Sequence, residues 1–154
     1  MSGEFPVSLK VEQIDDYRWR LLENFPYHSE LLGRWFTVPK GFVTDFASVP
    51  RVPVAYWLTG GIAHISAVVH DYLYSTHLTT RSEADQVFLE AAAASNIPAW
   101  RRNLMYWGIR AGGWQRWNKP SEPENVRLLV TPIREGEAIR AASVRPAPPD
   151  PDKP

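Results

Sequence analysis

The sequence predicts an α+β domain, with an N-terminal antiparallel β-sheet, then two antiparallel helices and a third helix packed across them. Residues 8–38 contain short stretches in which apolar and polar side chains alternate, a period typical of half-buried strands. Residues 62–110 instead repeat their apolar side chains at the three- and four-residue spacing of helices. A length of 154 residues suits one compact domain, which we expect to span residues 1–118.

The first two strands are expected to form a hairpin. Residues 8–14 and 17–23 each alternate apolar and polar side chains, and the Asp15-Asp16 pair between them is typical of a turn. Residues 34–38, which read Arg-Trp-Phe-Thr-Val, form a third candidate strand.

Prolines limit regular structure on both sides of that third strand. Phe25-Pro26-Tyr27 is interpreted as a break in the strand pattern, since proline cannot donate to a ladder. A short apolar piece, residues 42–43, precedes residues 44–53, in which Pro50 and Pro53 exclude a continuous strand or helix. We expect residues 44–53 to form an ordered loop.

Three helices are predicted in the middle of the chain. Residues 62–74 place apolar side chains on one helical face, and residues 84–95 are rich in good helix formers. The third helix is expected from residue 100 to about residue 110, because Gly112 and Gly113 weaken its continuation.

Two patterns compete for the start of the second helix. Thr80-x-x-Glu83 and Ser82-x-x-Asp85 both match the capping box, in which two side chains satisfy the first N–H groups of a helix. The second pattern offers a purely structural explanation of Asp85.

The C-terminal part changes in composition after residue 118. Residues 126–130 are interpreted as a final short strand, and residues 119–154 as a C-terminal extension. Residues 146–154 are dominated by proline and have little apolar surface to bury. We expect this segment to be flexible in isolation or to lie as an arm on a partner subunit.

Aromatic and arginine side chains alternate along the third predicted helix, at residues 100–107 and 114–117. Such clusters stack on nucleic-acid bases, lie at a membrane interface or dock another protein. Because Leu104 and Trp107 recur at helical spacing, we interpret the cluster chiefly as part of the core, with a docking surface as the next alternative.

Overall composition excludes several classes of function. Lys and Arg number 17 and Asp and Glu also number 17, so no excess positive charge favours nucleic acid or an anionic membrane as a partner. The chain has no cysteine, which excludes disulfides, thiolate metal sites and cysteine nucleophiles. We expect neither a transmembrane segment nor a signal peptide, since no apolar run is long enough and the first residues lack the basic-then-apolar pattern.

The pattern His70-Asp71-x-x-Tyr74, followed by Asp85, carries the strongest chemical signal. Positions four apart share a helix face, so His70 and Tyr74 lie together, while Asp71 points about 100° away from His70. In an antiparallel helix pair Asp85 reaches His70 or Tyr74. A histidine held by a carboxylate can act as a general base toward water, and a carboxylate such as Asp71 suits a hard cation.

This pattern resembles the catalytic helices of the phospholipase A2 superfamily, particularly its disulfide-free branch in parvovirus capsid proteins. The resemblance implies that His70 is the base, that Tyr74 and Asp85 support it, and that Asp71 binds Ca²⁺. The family's glycine-rich Ca²⁺ loop corresponds here to residues 45–48, where Asp45 offers a carboxylate in place of backbone carbonyls. It further implies a lipid or other ester as substrate. No other cofactor is expected.

A longer resemblance covers residues 35–114. The run from Pro39 to Arg51, followed by His-Asp-Tyr-Leu-Tyr, Ala84-Asp85 and Phe88, is similar to a phage and prophage family known as domain of unknown function 1353. This resemblance implies a tailed-phage or prophage origin, a place in the virion, tail or lysis products or in the host cytoplasm, and other virion proteins as partners. It implies no particular reaction.

Two main functions remain open, and one observation separates them. The chain is either a phospholipase A2-like hydrolase or a virion or tail component in which the same residues form a buried polar network. A host-directed accessory protein is a third alternative. A serine hydrolase is not favoured, because Ser48 lacks a Gly-x-Ser-x-Gly elbow, and Arg51 is interpreted as a loop anchor. Hydrolysis requires His70 to face an open cleft, whereas a sealed His70 favours the structural role.

Overall fold

We describe residues 3–46 and 64–129 of the chain from a computed structural model. The strands are β1 (Val11–Gln13), β2 (Trp19–Leu21), β3 (Phe25–Ser29), β4 (Arg34–Val38) and β5 (Val43–Thr44). The helices are α1 (His64–Thr76), α2 (Arg81–Ala94), α3 (Ala99–Trp117) and α4 (Pro123–Leu129). Antiparallel strands followed by helices confirm the α+β class.

The strands form two small antiparallel sheets. In the first sheet β2 lies between β1 and β5, and in the second β3 pairs with β4. The predicted hairpin of β1 and β2 is confirmed, although both strands are shorter than the alternating pattern. Asp15 makes its turn by accepting hydrogen bonds from the backbone N–H groups of Tyr17 and Arg18.

The break predicted at Phe25-Pro26-Tyr27 is wrong, because these residues begin β3 and pair with β4. The backbone N–H and C=O of His28, two residues along β3, bond to Glu4 on the side away from β4, so Pro26 in the same alternation removes no bond between β3 and β4. Phe25 and Tyr27 are both fully buried, and this explains why the segment is strand rather than loop. Residues 47–53 of the predicted loop lie outside the described residues.

The helices cover the sheets and complete the core. A connection of only residues 77–80 joins α1 to α2, and since the two helices pack together, they run antiparallel as predicted. The main core gathers side chains from strands and from both helices: Leu21, Phe25, Tyr27, Phe36, Val38, Phe42, Val68, Val69, Leu73, Tyr74, Ala84, Val87 and Ala91. A smaller cluster between α2 and α3 contains Phe88, Ala92, Ile97, Met105 and Ile109.

Helix α2 begins with the first of the two predicted capping boxes. Thr80 accepts from the backbone N–H of Glu83, and the Glu83 carboxylate accepts from the backbone N–H of Thr80. The alternative box, Ser82 with Asp85, is wrong because the helix has already started at Arg81. The structural explanation of Asp85 as a cap therefore does not apply.

Helix α3 differs from its prediction in length and orientation. It runs through Gly112 and Gly113 to Trp117. Leu104 and Trp107, interpreted as core, are 52% and 68% exposed, so that interpretation is wrong. The buried face instead carries Met105, Ile109 and Gly113. Both faces of this helix are apolar, and periodicity alone does not distinguish them.

The strand predicted at residues 126–130 is also wrong, because Pro123–Leu129 is helix α4. Asn125 on this helix is buried, and its side-chain amide pairs with both backbone groups of Val43: Val43 N–H donates to Oδ1 (2.7 Å) and Nδ2 donates to Val43 C=O (2.8 Å). The amide thus satisfies strand β5 as a neighbouring strand would. Within residues 3–46 and 64–129, no helix combines the length and apolar character needed to cross a bilayer.

Candidate functional site

His70, Tyr74 and Asp85 meet between α1 and α2, as their spacing predicted. His70 Nε2 lies 2.9 Å from Asp85 Oδ1, and the Tyr74 hydroxyl donates to the same oxygen at 2.5 Å. The ring centroids of His70 and Tyr74 are 4.0 Å apart. One carboxylate oxygen therefore fixes both side chains of the α1 face.

Two arginines approach the second oxygen of Asp85. Arg110 of α3 donates to Oδ2 at 2.9 Å, and Arg81 Nε lies 3.8 Å from the same atom. Arg81 also donates to the backbone carbonyl of Arg110 at 2.8 Å. Asp85 therefore joins three helices, because it holds side chains from α1 and α3 while belonging to α2.

The protonation of this cluster follows from its hydrogen bonds. Burial favours the neutral form of Asp85, but hydrogen bonds from His70, Tyr74 and Arg110 together hold its pKa below the usual 3.8. The carboxylate is thus ionised at neutral pH and only accepts hydrogen bonds. It follows that His70 Nε2 carries a proton. Burial and the neighbouring Asp85 raise the pKa of Tyr74, so its hydroxyl stays protonated.

The cluster is closed to solvent. His70 is 1% exposed and Asp85 is 0% exposed. The ring of Phe88 approaches the imidazole edge-on, with centroids 5.5 Å apart. The open cleft that hydrolysis requires at His70 is therefore not present among the described residues.

Asp71 faces a different part of the molecule from His70. It accepts a hydrogen bond from the Thr44 hydroxyl of β5, and Arg116 Nη2 lies 3.5 Å from its Oδ1. Arg116 also binds both oxygens of Asp45, at 2.6 and 3.1 Å. The two carboxylates predicted to share a cation thus both approach the guanidinium of Arg116.

The two predicted calcium ligands, Asp71 and Asp45, both contact Arg116. Ca²⁺ takes six to eight oxygen ligands, and in residues 3–46 and 64–129 no group of three or more acidic, histidine or cysteine side chains could hold a metal ion. Burial by itself lowers the pKa of Arg116, but the negative charges of Asp71 and Asp45 have the larger effect and raise its pKa above the ordinary value. The guanidinium therefore stays charged beside these two carboxylates. At Asp45 and Asp71, Arg116 supplies the positive charge that was expected from Ca²⁺. Calcium binding stays an untested prediction.

A cleft of about 130 Å³ opens beside this second cluster. Its lining includes Asp45, Asp71, Tyr74, Arg116, residues 119–122 before α4 and Asn125 of α4, but not His70. Tyr74 connects the two clusters, because it lines the cleft and its hydroxyl binds Asp85. The predicted base and the predicted metal ligands are therefore not oriented toward a common point.

Several residues of these clusters were not predicted. Arg110 and Arg116 lie in the segment that was interpreted chiefly as core. Nothing in the sequence around them indicates that their side chains point toward the interior of the fold. Glu90 of α2 was also missed, although it is buried and accepts from Tyr27, Ser29 and the backbone of Leu31. The candidate nucleophile Ser48 and the anchor Arg51 lie outside the described residues.

Gly113 allows α3 to approach the His70–Asp85 cluster. A methyl group at Gly113 would lie 2.6 Å from the Tyr74 hydroxyl, so we expect Gly113→Ala to lower the free energy of unfolding by about 1–3 kcal/mol. Gly112→Ala is the matched control, since nothing lies within 4 Å and helix propensity should raise stability by about 0.5–1 kcal/mol. Urea unfolding followed by circular dichroism measures both. Equal effects of the two substitutions would contradict this packing.

Comparison with known proteins places the chain in a family. The family model described as "Protein of unknown function (DUF1353)" matches residues 19–109, which is more than half of the chain. The match includes β2 to β5, the His70–Asp85 cluster and most of α3. Searches of curated proteins and of solved structures found no match. The chain belongs to the DUF1353 family of proteins of unknown function.

Proposed function

We propose that this chain is a non-enzymatic structural or assembly protein of a phage or prophage particle, in which the His70–Asp85 cluster fixes the helices. The observation that carries the proposal is the burial of that cluster: His70 and Asp85 are 1% and 0% exposed. Both oxygens of Asp85 are already bound by protein groups. A general base needs access to a water and a substrate, and burial of His70 and Asp85 within the described part of the chain argues against such access.

The second cluster supports the same role. Arg116 links Asp45, which follows β5, to Asp71 on α1, and so ties helix α3 to the end of the sheet. Together with Asn125, which binds Val43, these contacts fix three helices around the short strand β5. Ionic networks that hold elements together in this way specify one arrangement of a fold.

Particle composition tests the proposed function. After induction of a prophage that encodes this chain, we expect purified particles to contain it in a fixed copy number, measured by quantitative mass spectrometry against a known capsid protein. As a control, a phage endolysin from the same lysate should be depleted from the particles. Absence of the chain from washed particles would overturn the proposal.

Hydrolysis is a second candidate, favoured by one observation. The 2.9 Å contact of His70 with Asp85 and the 2.5 Å bond from Tyr74 reproduce the support of a catalytic histidine that the phospholipase A2 resemblance implies. For this candidate, an opening of the fold must expose the imidazole, and the ester carbonyl would be attacked by a water that His70 deprotonates.

Ester hydrolysis distinguishes the two candidates. We expect the purified full chain to hydrolyse neither phospholipid vesicles nor a short-chain ester above background, with or without added Ca²⁺. Activity that is lost in His70→Gln but kept in His77→Gln, whose exposed ring serves as the matched control, would support the hydrolase instead. Circular dichroism of each variant checks that it is folded.

A further inference from the structure

Residues 118–129, which we call the strap, run from the end of α3 to the edge of the first sheet and include helix α4. Among residues 118–128, the Asn125 side chain is buried, those of Ser121 and Leu128 are half-buried, and the others are exposed. The strap therefore lies on the surface of the fold and contributes little of its own surface to the core.

Hydrogen bonds from two side chains attach the strap. The Ser121 hydroxyl donates to the backbone carbonyl of Ser75 in α1 at 3.0 Å. The Asn125 amide makes two bonds with the backbone of Val43, at 2.7 and 2.8 Å. Water offers each of these groups an alternative partner when the strap leaves, so the net contribution of each bond to stability is small.

Helix α4 has little stability of its own. It contains seven residues, whereas isolated helices shorter than about 12–15 residues are only marginally stable in water. Leu128 packs at the margin of the main core, where a methyl group at Gly41 would lie 3.5 Å from its Cδ1. Val126 and Arg127, on the same helix, are exposed. A segment that buries so few apolar groups opens at a lower free energy than the core helices do.

The closed strap covers two features of the fold. Strand β5 forms an edge of the first sheet, with β2 on its paired side. The N–H and C=O groups of Val43 point away from β2, since both bind Asn125. Residues 119–122 and Asn125 also line the cleft that contains Asp71 and Arg116. Opening of the strap thus removes both partners of Val43 and part of the cleft wall.

We propose that the strap opens and closes while the rest of the fold stays intact, and that it controls access to the sheet edge at β5. An uncovered edge strand is a template for pairing with another chain. In the closed state, the Asn125 amide occupies the donor and the acceptor of Val43 that such a strand would use. This device is independent of the proposed particle role, because it depends only on the contacts of the strap.

Hydrogen exchange of single amides, followed by NMR on the full chain, tests strap opening. After correction for intrinsic rates, the N–H of Val43 should exchange at least about 100-fold faster than the N–H of Phe88 in the middle of α2. Urea below the unfolding transition should accelerate Val43 only weakly, because opening of the strap exposes little surface. It should accelerate Phe88 steeply, because release of α2 requires unfolding of the whole chain.

A pair of variants in α4 tests whether the strap protects Val43. Leu128→Ser weakens the packing of the strap and should accelerate exchange of the Val43 N–H at least about fivefold. Val126→Ser is the matched control, since Val126 is 48% exposed on the same helix. It should leave the exchange of Val43 within about twofold of the wild type.

A variant in the core separates strap opening from unfolding of the whole chain. Tyr27→Phe removes the bond to Glu90, which is present whether the strap is open or closed. Exchange of Phe88 should therefore accelerate at least about threefold, whereas exchange of Val43 should not change.

Two results would overturn the strap. The first is equal protection of Val43 and Phe88 in the wild type with equal acceleration in Tyr27→Phe, which would mean that α4 leaves only when the whole chain unfolds. The second is an equal effect of Leu128→Ser and Val126→Ser on Val43, which would mean that Val43 exchanges without release of the strap.

Discussion

Replacement of Asp85 by alanine is expected to lower the free energy of unfolding by about 3–5 kcal/mol, the cost of breaking a buried charged network. The substitution removes the acceptor of His70, Tyr74 and Arg110 at once. Those groups would stay buried without their partner, and this is more costly than losing the bonds themselves. Urea unfolding followed by circular dichroism measures the change.

An exposed carboxylate provides the control for this measurement. Asp16→Ala should change the free energy of unfolding by less than about 0.5 kcal/mol, because Asp16 is exposed beside the β1–β2 turn. A loss at Asp85 no larger than the loss at Asp16 would show that the carboxylate does not hold the three helices.

The same carboxylate makes stability depend on pH. The pKa of Asp85 is lower in the folded chain than its usual 3.8, so its ionised form is favoured by folding. This stabilisation is fully present above the unfolded pKa and disappears as the pH falls through the folded pKa. The difference in free energy of unfolding between wild type and Asp85→Asn should therefore stay constant from about pH 7 down to about pH 5, and should shrink as the pH falls below about 4. A difference that persists under strongly acidic conditions would contradict an ionised Asp85.

The second large effect is expected at Glu90, which ties α2 to the β3–β4 hairpin. Its carboxylate accepts from the Tyr27 hydroxyl (2.9 Å), the Ser29 hydroxyl (2.7 Å) and the backbone N–H of Leu31 (2.9 Å). Glu90→Leu keeps the side-chain size but leaves three buried or half-buried donors unsatisfied. We expect a loss of about 3 kcal/mol or more in the free energy of unfolding, measured by thermal and urea unfolding.

A double-mutant cycle separates hydrogen bonding from packing at Glu90. Tyr27→Phe removes one of the three donors, so Glu90→Leu should cost less in a Tyr27→Phe background than in the wild type. Glu12→Ala is the surface control, since its ion pair with Arg20 is exposed and should contribute less than about 1 kcal/mol. Strict additivity of the two core substitutions would show that the Tyr27–Glu90 bond contributes nothing.

The meeting of His70, Tyr74 and Asp85 could be predicted because it depends on local geometry. Two of the residues are four apart on one helix, and a short connection forces the next helix to run antiparallel. Such contacts follow from helix periodicity and loop length, which are both visible in the sequence. The hairpin of β1 and β2 and the Thr80 cap were predicted for the same reason.

Contacts between distant parts of the chain could not be predicted in this way. The partners Asn125 and Val43 are 82 residues apart, and Ser29 and Glu90 are 61 apart, so no local pattern marks them. Phe25-Pro26-Tyr27 became strand because burial in a two-stranded sheet outweighed the local effect of proline. In each case the decisive partner came from elsewhere in the fold.

The sequence by itself determined the α+β class, the helix pair and the residues that meet between its helices, since periodicity and short connections are local properties. Only the tertiary structure decided which apolar face of α3 is buried, because both faces repeat at helical spacing and the difference lies in what packs against them. It also decided that Arg116 contacts both Asp45 and Asp71, because a positive charge that lies far along the chain from both carboxylates leaves no trace in the sequence around either of them.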